Sequence, residues 1–255
     1  MRIVIKIGTS NITYKTGNLN IRHVENMCRV FSDIKNSGHE LIIVSSGAIG
    51  MGVGKLSLKK RPDDIAGKQA AASVGQCELM YTYDKLFGEY NHTVGQILLT
   101  ADDVKDEKRV NNFKNTIERL LEFGAIPIIN ENDTIAVDEI TIGDNDTLSA
   151  IVASHIDADL LILMSDIDGL YTKNPKKYAD AKKIDLIEEI TDEVMALADG
   201  KGTELSTGGM ATKLKAAKIV TEAGCDMVII NGEKIYELYD LLEGKNIGTR
   251  FTGKK

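Results

Sequence analysis

The sequence predicts an α/β fold with a mainly parallel central sheet covered on both faces by helices. Three observations carry that expectation. Short β-branched runs recur along the chain, longer segments with helical apolar spacing lie between them, and polar or glycine residues gather directly after the apolar runs. Strand and helix alternating in this way imply right-handed βαβ crossovers.

The runs at 2–7, 41–44, 93–99, 126–129, 160–164 and 227–230 are short and rich in Ile, Val and Leu, as strands buried on both faces are. Between the first two, Val24, Met27, Cys28, Phe31 and Ile34 recur at the spacing of a single helical stripe. Val110, Phe113, Ile117 and Leu120 repeat the pattern before the fourth strand, and Met210, Leu214, Ala217 and Val220 before the last. The segments closing the strands read KIGTS from Lys6, VSSGAIG from Val44, LLTADD from Leu98, IINENDT from Ile128 and LMSDIDG from Leu163. In an open parallel sheet this carboxyl edge is where helix N-termini and loops meet a ligand. Gly, Ser, Asn and Asp also serve turns and N-caps, so the reading rests on their recurrence rather than on one loop.

The 255 residues are 43% hydrophobic and 27% charged, with three prolines, which excludes a disordered chain and fits one domain or two intimate lobes. At this length folding removes roughly 70–75% of the unfolded surface from water, enough for a core without disulfides or structural metals. Cys28, Cys77 and Cys225 are odd in number, far apart and in no CxxC pair, which suits free thiols in a reducing cytosol. No run of about 18 uncharged apolar residues occurs, and the N-terminus lacks a small-residue cleavage site. The expectation is a cytoplasmic protein without a membrane partner. A net charge of −7 and the absence of Trp oppose nucleic acid as a partner. The four histidines show no metal-binding spacing, and no GxSxG or Cys-His signature points to nucleophilic catalysis.

Four constellations carry chemistry. Lys6 stands inside an apolar strand beside Gly8; a lysine there is costly unless its ammonium reaches an anion or snorkels to the surface. Ser45 to Gly50, followed by Gly52, Gly54 and Lys55, invites a P-loop reading that fails. A Walker A motif needs glycine where Ile49 stands and Ser or Thr where Leu56 stands. A glycine-rich anion or substrate loop and a plain helix-starting turn both remain open. NENDT (130–134) and GDNDT (143–147) bring Glu131, Asp133, Asp144 and Asp146 towards one region, where packed carboxylates call for Mg²⁺, a lysine or a substrate ammonium among them. Thr207-Gly208-Gly209-Met210-Ala211-Thr212-Lys213 opens a helix, and free N–H groups with a lysine suit a polyphosphate.

The ordered set VIKIGTS, VSSGAIG, PIINENDT, GDNDTLSA, SDIDGLYT and TGGMATK resembles the amino-acid kinase superfamily, and within it the branch that phosphorylates free glutamate. The resemblance spans nearly all of the chain. It implies a three-layer α/β/α sandwich, with an amino-acid lobe over about 1–158 and a nucleotide lobe over about 159–255; many bacterial members carry a further C-terminal PUA domain, and this chain is expected to depart from them in lacking it. It further implies ATP and Mg²⁺ as cofactors, glutamate as acceptor at the head of proline biosynthesis, feedback inhibition by proline, and a homo-oligomer of two or four chains. By position, Lys6 and Lys213 resemble the lysines that meet the transferring phosphoryl group, and Asp146 the aspartate that orients them. Ser46, Asn130, Asp133 and Asn145 match acceptor-binding positions. Ser165, Asp166 and Thr207, Gly208, Gly209, Met210, Ala211, Thr212 and Lys213 match the nucleotide site, with Lys6 shared and 168–172 beside it.

Simple acid–base chemistry agrees with these roles. A glutamate side chain has a pKa of about 4.3, so the nucleophile is already ionised and needs no general base. The difficulty is to bring it against a polyanionic nucleotide. Asp133 suits a free α-ammonium, which N-acetylglutamate and UMP lack. Sister kinases acting on aspartate, N-acetylglutamate, carbamate or UMP are the alternatives, as is a non-catalytic amino-acid sensor on the same fold.

Overall fold

A computed structural model describes residues 1–14, 16–135, 145–175, 177–197 and 209–254. In chain order the elements are β1 (Arg2–Ile7), α1 (Thr9–Ile12), α2 (Ile21–Asn36), β2 (Glu40–Ser45), α3 (Ala48–Lys55), α4 (Ile65–Gly88), β3 (Val94–Leu99), α5 (Glu107–Glu122) and β4 (Ile126–Glu131). They continue with α6 (Asn145–His155), β5 (Leu160–Ser165), β6 (Leu170–Tyr171), β7 (Lys183–Ile184), β8 (Leu186–Ile187), α7 (Asp192–Ala196), α8 (Met210–Glu222), β9 (Asp226–Asn231), α9 (Glu237–Leu242) and β10 (Thr249–Phe251). These form two compact units, Met1–Lys6 with Ile142–Lys255, and Ile7–Thr141.

In the unit Ile7–Thr141, strands run in the order β3-β4-β2 and both pairs are parallel, with Gln96 and Ile43 each opposite Ile128. The expected stripes form helices. Val24, Met27, Cys28, Phe31 and Ile34 of α2 are buried, as are Phe113 and Ile117 of α5. Side chains satisfy their first free N–H groups: Asn20 accepts from His23 N at 3.4 Å and Asp106 from Arg109 N at 2.9 Å. Asp64 does the same for α4, accepting from Gly67 N at 2.7 Å.

The periodicity singles out no helix over 65–88, yet α4 runs for 24 residues. Its buried face begins with Ala71, Ala72, Gly75 and Gln76, residues too small or too polar to register as an apolar stripe. They are small because α3 lies against them. A Cβ on Gly75 would overlap the Ala48 carbonyl, and one on Gly52 the Ala71 carbonyl. Glycine lets the two backbones touch. The glycine-rich stretch after Ser46 is therefore helix α3 rather than an open anion loop. Gly47 starts it with φ +106, a left-handed conformation that leaves Ile12 beside the missing side chain.

In the other unit the order is β1-β5-β9-β10-β8. β5 pairs with β9 in parallel, Leu163 opposite Ile229, and β10 runs antiparallel to β9 and parallel to β8. All six residues of β5 are buried, and α6 packs on α8. The strands β6, β7, β8 and β10 escape sequence reading, being two or three residues each. One buried hydroxyl ties three of them together: Thr249 accepts from Leu170 N at 2.8 Å and donates to the Ile184 carbonyl. The α/β class with mainly parallel strands and flanking helices is what the sequence predicts. Among the described residues no helix is long and apolar enough to cross a membrane.

Candidate active site

Three charged side chains from distant parts of the chain meet inside the unit formed by Met1–Lys6 and Ile142–Lys255. Lys6 sits in β1 after the buried Ile3, Val4 and Ile5, its own side chain 10% exposed. Asp146 lies in the first turn of α6 and is fully buried. Lys213 lies in the opening turn of α8 with its side chain 7% exposed. The Lys6 ammonium stands 2.7 Å from Asp146 Oδ1, and that of Lys213 donates to Oδ2 at 2.9 Å. Thr212 adds a hydroxyl to Oδ2 at 3.2 Å, and the packing of α6 on α8 fixes the register of these groups.

Two ammoniums converge on one buried carboxylate, and so close a pair of cationic groups away from water favours an anion beside them. Burial alone pushes the Asp146 pKa up. The charges of Lys6 and Lys213 and the bonds they make outweigh that and hold the carboxyl below the usual carboxylate range. A carboxylate so occupied is a poor base and serves to hold two cations together. Asn145 precedes it at the start of α6, half-buried.

The expected nucleotide residues of this unit lie at the ends of β5 and the start of α8. Ser165 closes β5, buried, donating to Asp166 Oδ1 at 3.2 Å, while Asp166 is exposed. Gly209 begins α8 without a side-chain cap, and Met210, Ala211 and Thr212 form the first turn with Lys213. Uncapped N–H groups at a helix start are donors for phosphate oxygens. Thr207 and Gly208, and Gly143 and Asp144 of the acidic motif, lie outside the described residues. Along 168–172, Tyr171 donates from its hydroxyl to Asp168 Oδ1 at 2.9 Å.

The unit Ile7–Thr141 holds the remaining expected acceptor residues. Ser46 follows β2, its N–H donating to the Ile7 carbonyl at 2.9 Å. Its neighbour Ser45 shares a hydrogen bond of 2.8 Å with the hydroxyl of Tyr83 on α4. Asn130, 1% exposed in β4, donates from Nδ2 to Gln76 Oε1 at 2.9 Å and accepts from Glu131 N at 2.9 Å. Asp133 lies in the turn beyond β4, half-buried. Gln76, Tyr83 and Thr249 are absent from the sequence reading. A polar residue inside an Ala- and Gly-rich helix face was the one signal for Gln76; Thr249 has none.

Comparison with known proteins bears directly on this arrangement. The profile of the amino acid kinase family matches residues 1–231. The chain belongs to the amino acid kinase family. Among the relatives of this amino acid kinase is one named glutamate 5-kinase from Clostridium perfringens, 52% identical over 258 residues that cover 100% of this chain and 96% of that one. Another of that name, from Clostridium tetani, is 54% identical over 253 residues covering 99% and 95%. In structure the chain is similar to carbamate kinase from Giardia lamblia bound to AMP-PNP, with a TM-score of 0.70 at 17% identity, covering 99% of this chain and 98% of that one. That likeness shows the fold expected from the sequence.

The kinase's own residues also bear on a metal. Among the described residues no three His, Cys, Asp or Glu side chains stand together as a ligand set, and both oxygens of Asp146 are engaged by lysines.

Proposed function

We propose that this chain transfers the γ-phosphoryl group of ATP to the side-chain carboxylate of L-glutamate, giving L-glutamyl 5-phosphate and ADP, the first step of proline biosynthesis. The observation that carries the reading is the buried cluster of Lys6, Asp146 and Lys213, whose two closely held ammoniums suit a transferring phosphoryl group. Relatives named glutamate 5-kinase at about half identity support the acceptor.

A carboxylate oxygen of glutamate attacks the γ-phosphorus, the bond from phosphorus to the bridging oxygen breaks, and that oxygen leaves on ADP. No proton need move, because the nucleophile is ionised at neutral pH. Lys6 and Lys213 offset charge on the equatorial oxygens of a loose, in-line transition state, and Asp146 keeps their ammoniums apart from solvent and close to each other. Mg²⁺, bound with the nucleotide, neutralises phosphate charge. The helix start at Gly209 to Thr212, with Thr207 and Gly208 before it, holds the phosphates, and Ser165 and Asp166 contribute to the nucleotide site. Ser46, Asn130, Asp133 and Asn145 hold the amino acid, with Asp133 on its α-ammonium. We assign the amino acid to about 1–158 and the nucleotide to about 159–255.

The same reading extends to a cytoplasmic homo-oligomer of two or four chains inhibited by proline; the buried thiols of Cys28 and Cys225 and the exposed thiol of Cys77 suit a reducing compartment. ADP release measured with glutamate, aspartate, N-acetylglutamate, carbamate and UMP as acceptors tests the assignment. Turnover dependent on glutamate is the expected result, and preference for any other acceptor overturns it.

A further inference from the structure

Gln76 is a polar residue on the buried face of α4, 7% exposed. The direction of its hydrogen bond to Asn130 is set from the far end. The backbone N–H of Glu131 can only donate, and it bonds to Asn130 Oδ1 at 2.9 Å. Asn130 must then offer Nδ2 to Gln76, and Gln76 must answer with its oxygen, at 2.9 Å. The amide nitrogen of Gln76 is thereby turned away from Asn130 with two N–H groups to give. Among the described residues it donates to no partner, and it is not one of the fully buried unpartnered atoms, so a ligand can reach it.

Its place on α4 says where an acceptor belongs. The preceding residue, Gly75, lies against the Ala48 carbonyl just beyond Ser46, and Tyr83 on the same buried face bonds to Ser45 at 2.8 Å. Gln76 thus stands on the helix face that passes the turn carrying Ser46, and it is bonded to Asn130. Both are positions assigned above to the amino acid.

We infer that Gln76 is a positioning and specificity residue of the acceptor site, donating from Nε2 to the α-carboxylate of the amino acid while Oε1 holds the Asn130 amide. The inference rests on the glutamate reading above. Of the two carboxylates, the γ-carboxylate loses charge as it is phosphorylated, and a strong donor to it in the ground state slows the reaction. The α-carboxylate keeps its charge throughout, so a fixed amide donor there binds without that penalty.

The test is Gln76→Glu, which still accepts from Asn130 but offers no N–H and sets a negative charge against the substrate. A purely structural effect of placing that charge in a buried position weakens binding of glutamate and of an analogue lacking the α-carboxylate alike. The expected result is a KM for glutamate raised at least tenfold, a KM for ATP within twofold of wild type, and no increase in the inhibition constant of 4-aminobutyrate, which is glutamate without its α-carboxylate. Should Gln76→Glu not fold, Gln76→Met is expected to give the same contrast between glutamate and 4-aminobutyrate. An unchanged glutamate KM, or an equal loss for both compounds, overturns the assignment while leaving the glutamate reading intact. Wild-type protein without glutamate-dependent ADP release removes both.

Discussion

At the scale of single residues, Asp146 sets the behaviour of the cluster. Replacing it by Asn leaves two buried ammoniums facing each other, and loss of one partner from a buried pair costs about 3–5 kcal/mol. Asp146→Asn is therefore expected to lower the urea midpoint as well as reduce kcat by about 10²–10³. The stability effect carries a pH signature. The folded-state pKa lies below the unfolded value of about 3.9, so the stabilisation is fully present above that value and is lost as pH falls through the folded pKa. Denaturation of both forms between pH 3 and 7 checks this: their difference is constant in the upper range and shrinks at the acid end. Lys213→Ala is expected to reduce kcat by about 10²–10³ while the Kd for ATP changes less than tenfold, measured by single-turnover kinetics beside a binding titration. Asp133→Asn is expected to raise the KM for glutamate and leave that for ATP unchanged; an unaltered glutamate KM removes Asp133 from the α-ammonium.

At the scale of elements, the crossing of α3 and α4 turns glycines into packing residues. In an open helix interior, Gly→Ala gains about 1 kcal/mol. At Gly75 the added methyl meets the Ala48 carbonyl, whereas at Gly88, in the same helix, it meets nothing within 4 Å. Gly75→Ala is expected to lose roughly 1–3 kcal/mol by overpacking, and Gly88→Ala to be neutral or stabilising. Thermal melts of the pair decide the matter, since helix propensity alone predicts the same sign for both. The crossing also bears on chemistry, because the helix face that accommodates α3 carries Gln76 and Tyr83, the partners of Asn130 and Ser45.

At the scale of the whole molecule, a chain of net charge −7 binds a polyanion only through local placement of cations. The two lysines on Asp146 are such a placement of cations. ATP with Mg²⁺ at a hundredfold its Kd is expected to stabilise the fold by about 2.7 kcal/mol, read as a rise in Tm. A melt unaffected by nucleotide counts against the nucleotide site.

The sequence by itself determined the α/β class, the places of the long strands along the chain, the striped helices α2, α5 and α8, and the motifs that mark the family, because periodicity and strand-end composition are local properties of the chain. Through the family's motifs it also marked Lys6 and Lys213 as the lysines that meet the phosphoryl group and Asp146 as the aspartate that orients them. Only the tertiary structure decided that they share one buried carboxylate, that the glycines after Ser46 serve a helix crossing, and that Gln76 is bonded to Asn130. Burial and ionic pairing are set by groups that approach through space from distant parts of the chain, here 67 residues apart for Asp146 and Lys213, and no local pattern encodes such a meeting.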